Sequence, residues 1–268
     1  MKKSLIALAL VGAFAVPVFA QEAAPAGPHS VTGNLNLASD YIFRGISQSL
    51  GKPAIQGGLD YAHSSGFYAG TWASNVGWVD DIAKRGNSVE WDFFAGFKNE
   101  LGPVSYDLGV LRYTYPGNTI SGVATPDSTE VYVALGWEFL ELKYSHAVSK
   151  NLFGWVNPTT GKNSRGSRYI ELNASKDLEG GWGVSAHVGR QVIKNFSDAS
   201  YTDWSVGVSK DVGFGSLGLT YSKTNADGKC GPAEPYCFGQ QYDTLGNVSV
   251  KGKDASASRL VLSFSKEF

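Results

Sequence analysis

A period-two alternation of apolar and polar residues, recurring in segments of about nine or ten positions, limits this chain more than any other feature. The clearest run sets Val89, Trp91, Phe93, Ala95 and Phe97 against Glu90, Asp92, Phe94, Gly96 and Lys98. A second sets Val131, Val133, Leu135, Trp137 and Phe139 against Glu130, Tyr132, Ala134, Gly136 and Glu138, and a third runs from Trp182 to Gly189. Strands of soluble sandwiches run about five or six residues, whereas a tilted strand that crosses a bilayer needs about 9–11. After residue 20 no stretch holds the roughly 18 unbroken apolar residues of a spanning helix. A chain that crosses a membrane on strands must close its sheet, because an open edge leaves backbone groups unpaired in lipid.

Such segments begin near Val31, Ala54, Phe67, Val89, Val104, Thr129, Leu140, Ser167, Trp182, Asp203, Ser216 and Ala255. The connections alternate in length. Ser64-Ser65-Gly66, Leu101-Gly102-Pro103, Phe139-Leu140, Glu179-Gly180-Gly181 and Gly213-Phe214-Gly215 are short turns. Between them lie long loops over Gly45 to Pro53, Asn75 to Asn87, Pro116 to Asp127, Lys150 to Gly166, Val192 to Thr202 and Asn225 to Asp254. The expected fold class is all-β: a transmembrane antiparallel up-and-down β-barrel of about 12 strands, with short periplasmic turns and long extracellular loops. On that topology Phe43, Trp91, Tyr113, Tyr169, Trp204 and Tyr221 fall near the outer rim, and Phe67, Phe97, Trp137, Phe139, Trp182 and Phe268 near the inner rim. Two aromatic girdles are thereby expected.

The start of the chain agrees. Lys2 and Lys3 precede an apolar run from Leu5 to Val16, and Val18-Phe19-Ala20 ends it with a cleavage-type sequence. Residues 1–20 read as a cleavable signal peptide, 21–30 as a flexible linker and 31–268 as the barrel domain. The residue directly after the cut is Gln21 rather than cysteine, which excludes a lipoprotein. The expected address is the bacterial outer membrane. Among the 268 residues, 23 are Lys or Arg and 24 Asp or Glu, so no basic surplus serves nucleic acid. Without Lys2 and Lys3, 21 bases remain against 24 acids and the net is −3. A mean hydropathy of −0.14 argues against a bundle of membrane helices.

With the apolar faces outward, the pore-lining candidates are Asp40, Arg44, Asp60, Glu90, Asp92, Lys98, Glu130, Glu138, Glu171 and His187. Ionisable groups are costly against lipid, so their shared parity implies a wet or ion-paired interior. Acids outnumber bases there, which gives any pore a weak cation preference. The same groups would also suit a plug of salt bridges, since small barrels are often filled by their own side chains. Cys230 and Cys237, the two cysteines of an exported chain, share one loop and are expected to form a disulfide. No histidine stands near them, so a metal site is not expected. No nucleophile-elbow motif accompanies His187 and Ser185, and the chain reads as a non-enzyme with no cofactor.

Ser39-Asp40-Tyr41-Ile42-Phe43-Arg44-Gly45-Ile46-Ser47-Gln48, Gln56-Gly57-Gly58-Leu59-Asp60-Tyr61 and Gly66-Phe67-Tyr68-Ala69-Gly70-Thr71-Trp72-Ala73-Ser74-Asn75-Val76 carry a resemblance. With Glu90-Trp91-Asp92 and Tyr115-Pro116-Gly117, they resemble the TorF-like porin family of conserved hypothetical proteobacterial proteins. The resemblance spans essentially the whole chain after the leader and is strongest in its first third. It implies an outer-membrane barrel with a channel role and no catalytic residues. Asp40, Arg44, Asp60, Glu90 and Asp92 match the family's recurring polar positions, as a constriction or a structural lock. The terminal Phe268 on an alternating strand resembles the signal read by the outer-membrane assembly machinery. The function expected is passive passage of small solutes or ions. The alternative is a structural or adhesive barrel acting through its extracellular loops, with lipid as the constant partner.

Overall fold

The computed structural model describes residues 27–83, 88–117, 122–231, 234–244 and 246–268. The expected signal peptide and the linker as far as Ala26 lie outside the described residues. Twelve strands close into one antiparallel barrel. They are β1 (His29–Ala38), β2 (Ala54–His63), β3 (Phe67–Asn75), β4 (Val89–Leu101), β5 (Val104–Thr114) and β6 (Ser128–Trp137). They continue as β7 (Leu140–Ala147), β8 (Arg168–Leu178), β9 (Trp182–Val192), β10 (Tyr201–Asp211), β11 (Ser216–Thr224) and β12 (Arg259–Glu267). Each strand pairs with its sequence neighbours, and β1 pairs with β12 to close the ring, Asn34 opposite Glu267 and Leu37 opposite Phe264. Closure leaves no edge strand.

The alternation decides which way each side chain faces. Leu59, Val131, Val184, Val206 and Leu260 point outward and are exposed, as lipid-facing residues are in an isolated chain. Glu90, Asp92, Glu130, Tyr169 and Asp203 point inward and are buried. Tyr68, Tyr132 and Tyr169 lie along the inner wall, because each ring occupies the place a Cβ would take on Gly96, Gly109 or Gly189 of an adjacent strand. Glycine there keeps the rings from projecting across the interior.

Three expectations change. Glu138 does not line the wall; it sits exposed in the Glu138–Phe139 turn between β6 and β7, with a φ of 52°. The alternation ends at Trp137, and the reversal consumes the next two residues rather than Phe139-Leu140. The inner girdle stands with Phe67, Trp137, Trp182 and Phe268 exposed, but the outer one keeps only Trp91, Trp204 and Tyr221. Tyr113 and Tyr169 share the inward parity of β5 and β8 and are buried, and Phe43 packs against Tyr113 inside. Finally, the β1–β2 connection does not stand outside the barrel: residues 39–53 fold back into its long-loop end.

A second core caps that end. Leu50, Trp78, Leu152, Ile193, Tyr201, Tyr236 and Phe238, drawn mainly from different loops, form one buried cluster with inward wall residues. Tyr236 packs edge-on against Trp155 and Tyr201 and donates its hydroxyl to the Ala199 carbonyl at 2.6 Å. Burial pushes that phenol well above its ordinary range, so it stays a donor. The Cys230–Cys237 disulfide forms beside it as expected, with Cα atoms 4.9 Å apart.

Candidate functional site

The interior and the segment that enters it are the candidate site. Residues 39–53 form a strap built on a miniature hairpin, Ile42–Phe43 paired with Ile46–Ser47. Arg44 (φ 49°) and Gly45 (φ 76°) make its two-residue turn. Two successive left-handed residues are the hairpin geometry that matches strand twist, and glycine is the natural second residue. A Cβ on Gly45 would lie 2.5 Å from Asp203 Cβ and 3.1 Å from Thr224 Cβ, so the tip rests against β10 and β11. The strap's backbone is tied to other loops: Ser47 N–H donates to Ala255 O at 2.8 Å and Gly77 N–H to Gln48 O at 2.7 Å.

From that tip Arg44 reaches the far wall. Its guanidinium donates to both carboxylate oxygens of Glu130 on β6, at 3.1 and 2.8 Å, and to Gln191 Oε1 on β9 at 2.9 Å. It also lies over the Tyr169 ring at 4.3 Å and the Phe43 ring at 4.8 Å. Burial works against the charge, but Glu130 beside it more than offsets this and holds the guanidinium above its ordinary range. Glu130 takes a further bond from the Tyr113 hydroxyl at 3.0 Å. The pair is a forked, charge-assisted clamp across the interior.

The other predicted site residues occupy distinct places. Asp40 accepts from the Ser47 and Ser49 hydroxyls, both at 2.7 Å, and pairs with Arg259 of β12 at 3.1 Å. Asp60 accepts from Asn34 at 3.0 Å. Glu90 and Asp92 are fully buried beneath the strap, where the Tyr41 hydroxyl donates to Glu90 at 3.4 Å and Tyr41 packs edge-on against Trp72. The five do not gather into one ion-pair cluster: Arg44 pairs with Glu130, Asp40 with Arg259 and Asp60 with Asn34, while Glu90 and Asp92 lie side by side. Lys98 faces inward toward the short-turn end, over the Tyr68 ring at 5.9 Å. Glu171 lies 3.6 Å from His187, whose ring contacts Asp203 at 2.9 Å and Asn173 at 2.6 Å.

Sequence reasoning missed four of these partners: Tyr113, Tyr169, Gln191 and Asp203. Parity alone would have turned them inward. The strap had a local sign as well, since Arg44-Gly45 between Ile42-Phe43 and Ile46-Ser47 is a hairpin pattern. No group of three or more His, Cys, Asp or Glu side chains suited to a metal ion occurs among the described residues.

Among known structures, the KdgM porin is similar over 89% of this chain and 97% of its own, with 5% identity and a TM-score of 0.49. The NanC porin is similar over 89% and 99%, with 10% identity and a TM-score of 0.48. An anion-selective porin from Comamonas acidovorans is similar over 90% and 99%, with 10% identity and a TM-score of 0.38. No curated protein matches the sequence. A family model matches residues 22–249. The chain belongs to that family, described as bacterial protein of unknown function (Gcw_chp).

Proposed function

We propose that this protein is an outer-membrane channel through which small solutes or ions pass passively, with a weak cation preference and no enzymatic step. One observation carries the reading. A closed barrel with an apolar exterior turns the Asp and Glu of its strands, Asp60, Glu90, Asp107, Glu130, Glu171 and Asp203 among them, to its interior. The TorF-like resemblance points the same way. Phe268 pairs through its backbone with Gly33 of β1 and exposes its ring, which supports the assembly-signal role assigned to it.

The strap makes the narrow point. Tyr41, Ile42, Ile46 and Leu50 are all buried in it. At about 1.5–3 kcal/mol per buried side chain, pulling it out costs on the order of 6–12 kcal/mol. Spontaneous opening then populates fewer than about one molecule in ten thousand, so solutes pass beside the strap rather than through its opening. Single-channel recording in a planar bilayer under a salt gradient tests the reading. Discrete current steps with a cation-favouring reversal potential are expected. Silence from a folded barrel, and from one lacking residues 42–47, refutes it.

The buried cap over the long-loop end favours a second reading, a structural or adhesive barrel acting through its loops. Loss of surface binding on shortening residues 225–258, with conductance absent throughout, would select it.

A further inference from the structure

The barrel sorts charge by sign as well as by face. Every Asp and Glu on its twelve strands points inward, whereas every Lys, Arg or His on the lipid-facing parity stands there without an acid on that face. Hydrocarbon rejects either sign, which explains why the middle of the outer face carries none. It does not explain why only bases occupy the rims, where an acid would cost equally little.

At the long-loop end these bases gather on one side. His146 (β7) stands directly opposite Arg168 (β8), and Arg190 (β9) opposite Ile170, two residues along β8 from Arg168. Lys194, just beyond β9, reaches the same spot: a Cβ on Gly166 would lie 3.4 Å from its Nζ and 3.8 Å from His146 Cε1. Lys223 (β11) continues the row beside Trp204 and Tyr221, whose rings are 5.5 Å apart. None of the five forms an ion pair among the described residues, whereas Arg112, the remaining base of this rim, is held by Asp127 at 3.5 Å.

We infer that the rim of β7–β11 at the long-loop end is a docking surface for the phosphate-bearing head groups of membrane lipids. Its place decides the occupant. The row lies where the apolar band gives way to aromatic residues, the depth at which lipid head groups sit. Long basic side chains there lay their stems on the apolar surface and lift their charges to the phosphates. Forked guanidiniums of Arg168 and Arg190 suit a phosphomonoester, and Lys194 and Lys223 add point charges on either side.

The test uses the full barrel in phosphatidylcholine vesicles, with and without a minor fraction of phosphatidic acid. Spin-labelled lipid measures enrichment at the protein surface. Wild-type barrel is expected to enrich phosphatidic acid over phosphatidylcholine. Arg168→Gln/Arg190→Gln/Lys223→Gln should lower that enrichment by about fivefold per base at low salt. Lys98→Gln/Lys143→Gln, which removes interior bases, should leave it unchanged. Arg168→Lys/Arg190→Lys keeps the charges and should retain most of it, which covers the case in which the triple variant fails to fold. Equal enrichment by the triple variant and wild type overturns the inference. So does an equal loss in the interior variant, which would mark a net-charge effect, or full displacement by inorganic phosphate, which would mark an ion site rather than a lipid surface.

Discussion

The clamp between Arg44 and Glu130 makes a prediction with a sign that depends on the partner left behind. The two side chains are 7% and 1% exposed, so neither charge has water to fall back on. Glu130→Ala leaves the guanidinium with Gln191 and ring faces only, and costs about 3–5 kcal/mol as an uncompensated buried charge. Arg44→Met leaves Glu130 with the single Tyr113 hydroxyl and costs a similar amount, about 3–5 kcal/mol. Arg44→Met/Glu130→Leu removes both charges and refills the volume, which is neutral or stabilising by about 1–4 kcal/mol in buried pairs of this kind. The single changes are thus expected to cost far more than the double, a coupling of at least about 6 kcal/mol on these figures. Urea unfolding of the barrel in vesicles, followed by its 7 tryptophans, reads this. With a slope of about 1–3 kcal/mol/M, each single variant should lower the midpoint by about 1 M or more, and the double should not. Labelling of Ser47→Cys, which lies buried in the strap, separates local release from global unfolding. A double variant as unstable as the sum of the singles would refute the clamp.

Two other changes probe the frame around it. Val206→Arg places a charge at the middle of the lipid-facing side of β10 and should cost about 2–4 kcal/mol in vesicle unfolding, whereas Ser205→Asn on the inward side should cost little. Cys230→Ser/Cys237→Ser opens a loop of sequence separation 7 and should release about 2.5 kcal/mol of constraint; faster protease cutting within residues 225–258, with the barrel strands intact, is the expected readout.

The barrel was legible because its signal is local. Val89 to Lys98 declares its two faces within ten positions, and Glu179-Gly180-Gly181 declares its turn within three. The same parity that turned Glu130 inward also turns Tyr113 and Tyr169 inward, yet their position near strand ends suggested a lipid girdle. Location along a strand and face of a strand are separate facts, and the second decides burial. The strap was hidden for a different reason. Its hairpin pattern is local, but its direction depends on Glu130, 86 positions from Arg44, and on Gln191, 147 positions away. Parity places Arg44 on the inward face, but its path across the interior shows only once an acid on the far wall is known to meet it. Glu138 shows the converse: correct parity extended one residue past the end of its strand.

In the proposed channel, size and charge discrimination fall to different residues. The narrow point holds Arg44, but Glu130 neutralises it within hydrogen-bonding distance, so the clamp presents little net field to a passing ion. The acids beyond it are less compensated. Asp60 is held by the neutral amide of Asn34 and Asp107 by the hydroxyl of Tyr68, neither of which cancels a charge. Lys98 and Lys143 are the inward bases nearest them, each lying over a tyrosine ring. Removing the clamp with Arg44→Met/Glu130→Leu should therefore leave the reversal potential under a salt gradient nearly unchanged while altering conductance. Asp60→Asn/Asp107→Asn should move the reversal potential toward zero with conductance little altered, because an acid-to-amide change leaves the width as it was. The opposite pattern, selectivity lost with the clamp and kept without the two aspartates, would place the charge filter at the strap and require Arg44 and Glu130 to separate during passage.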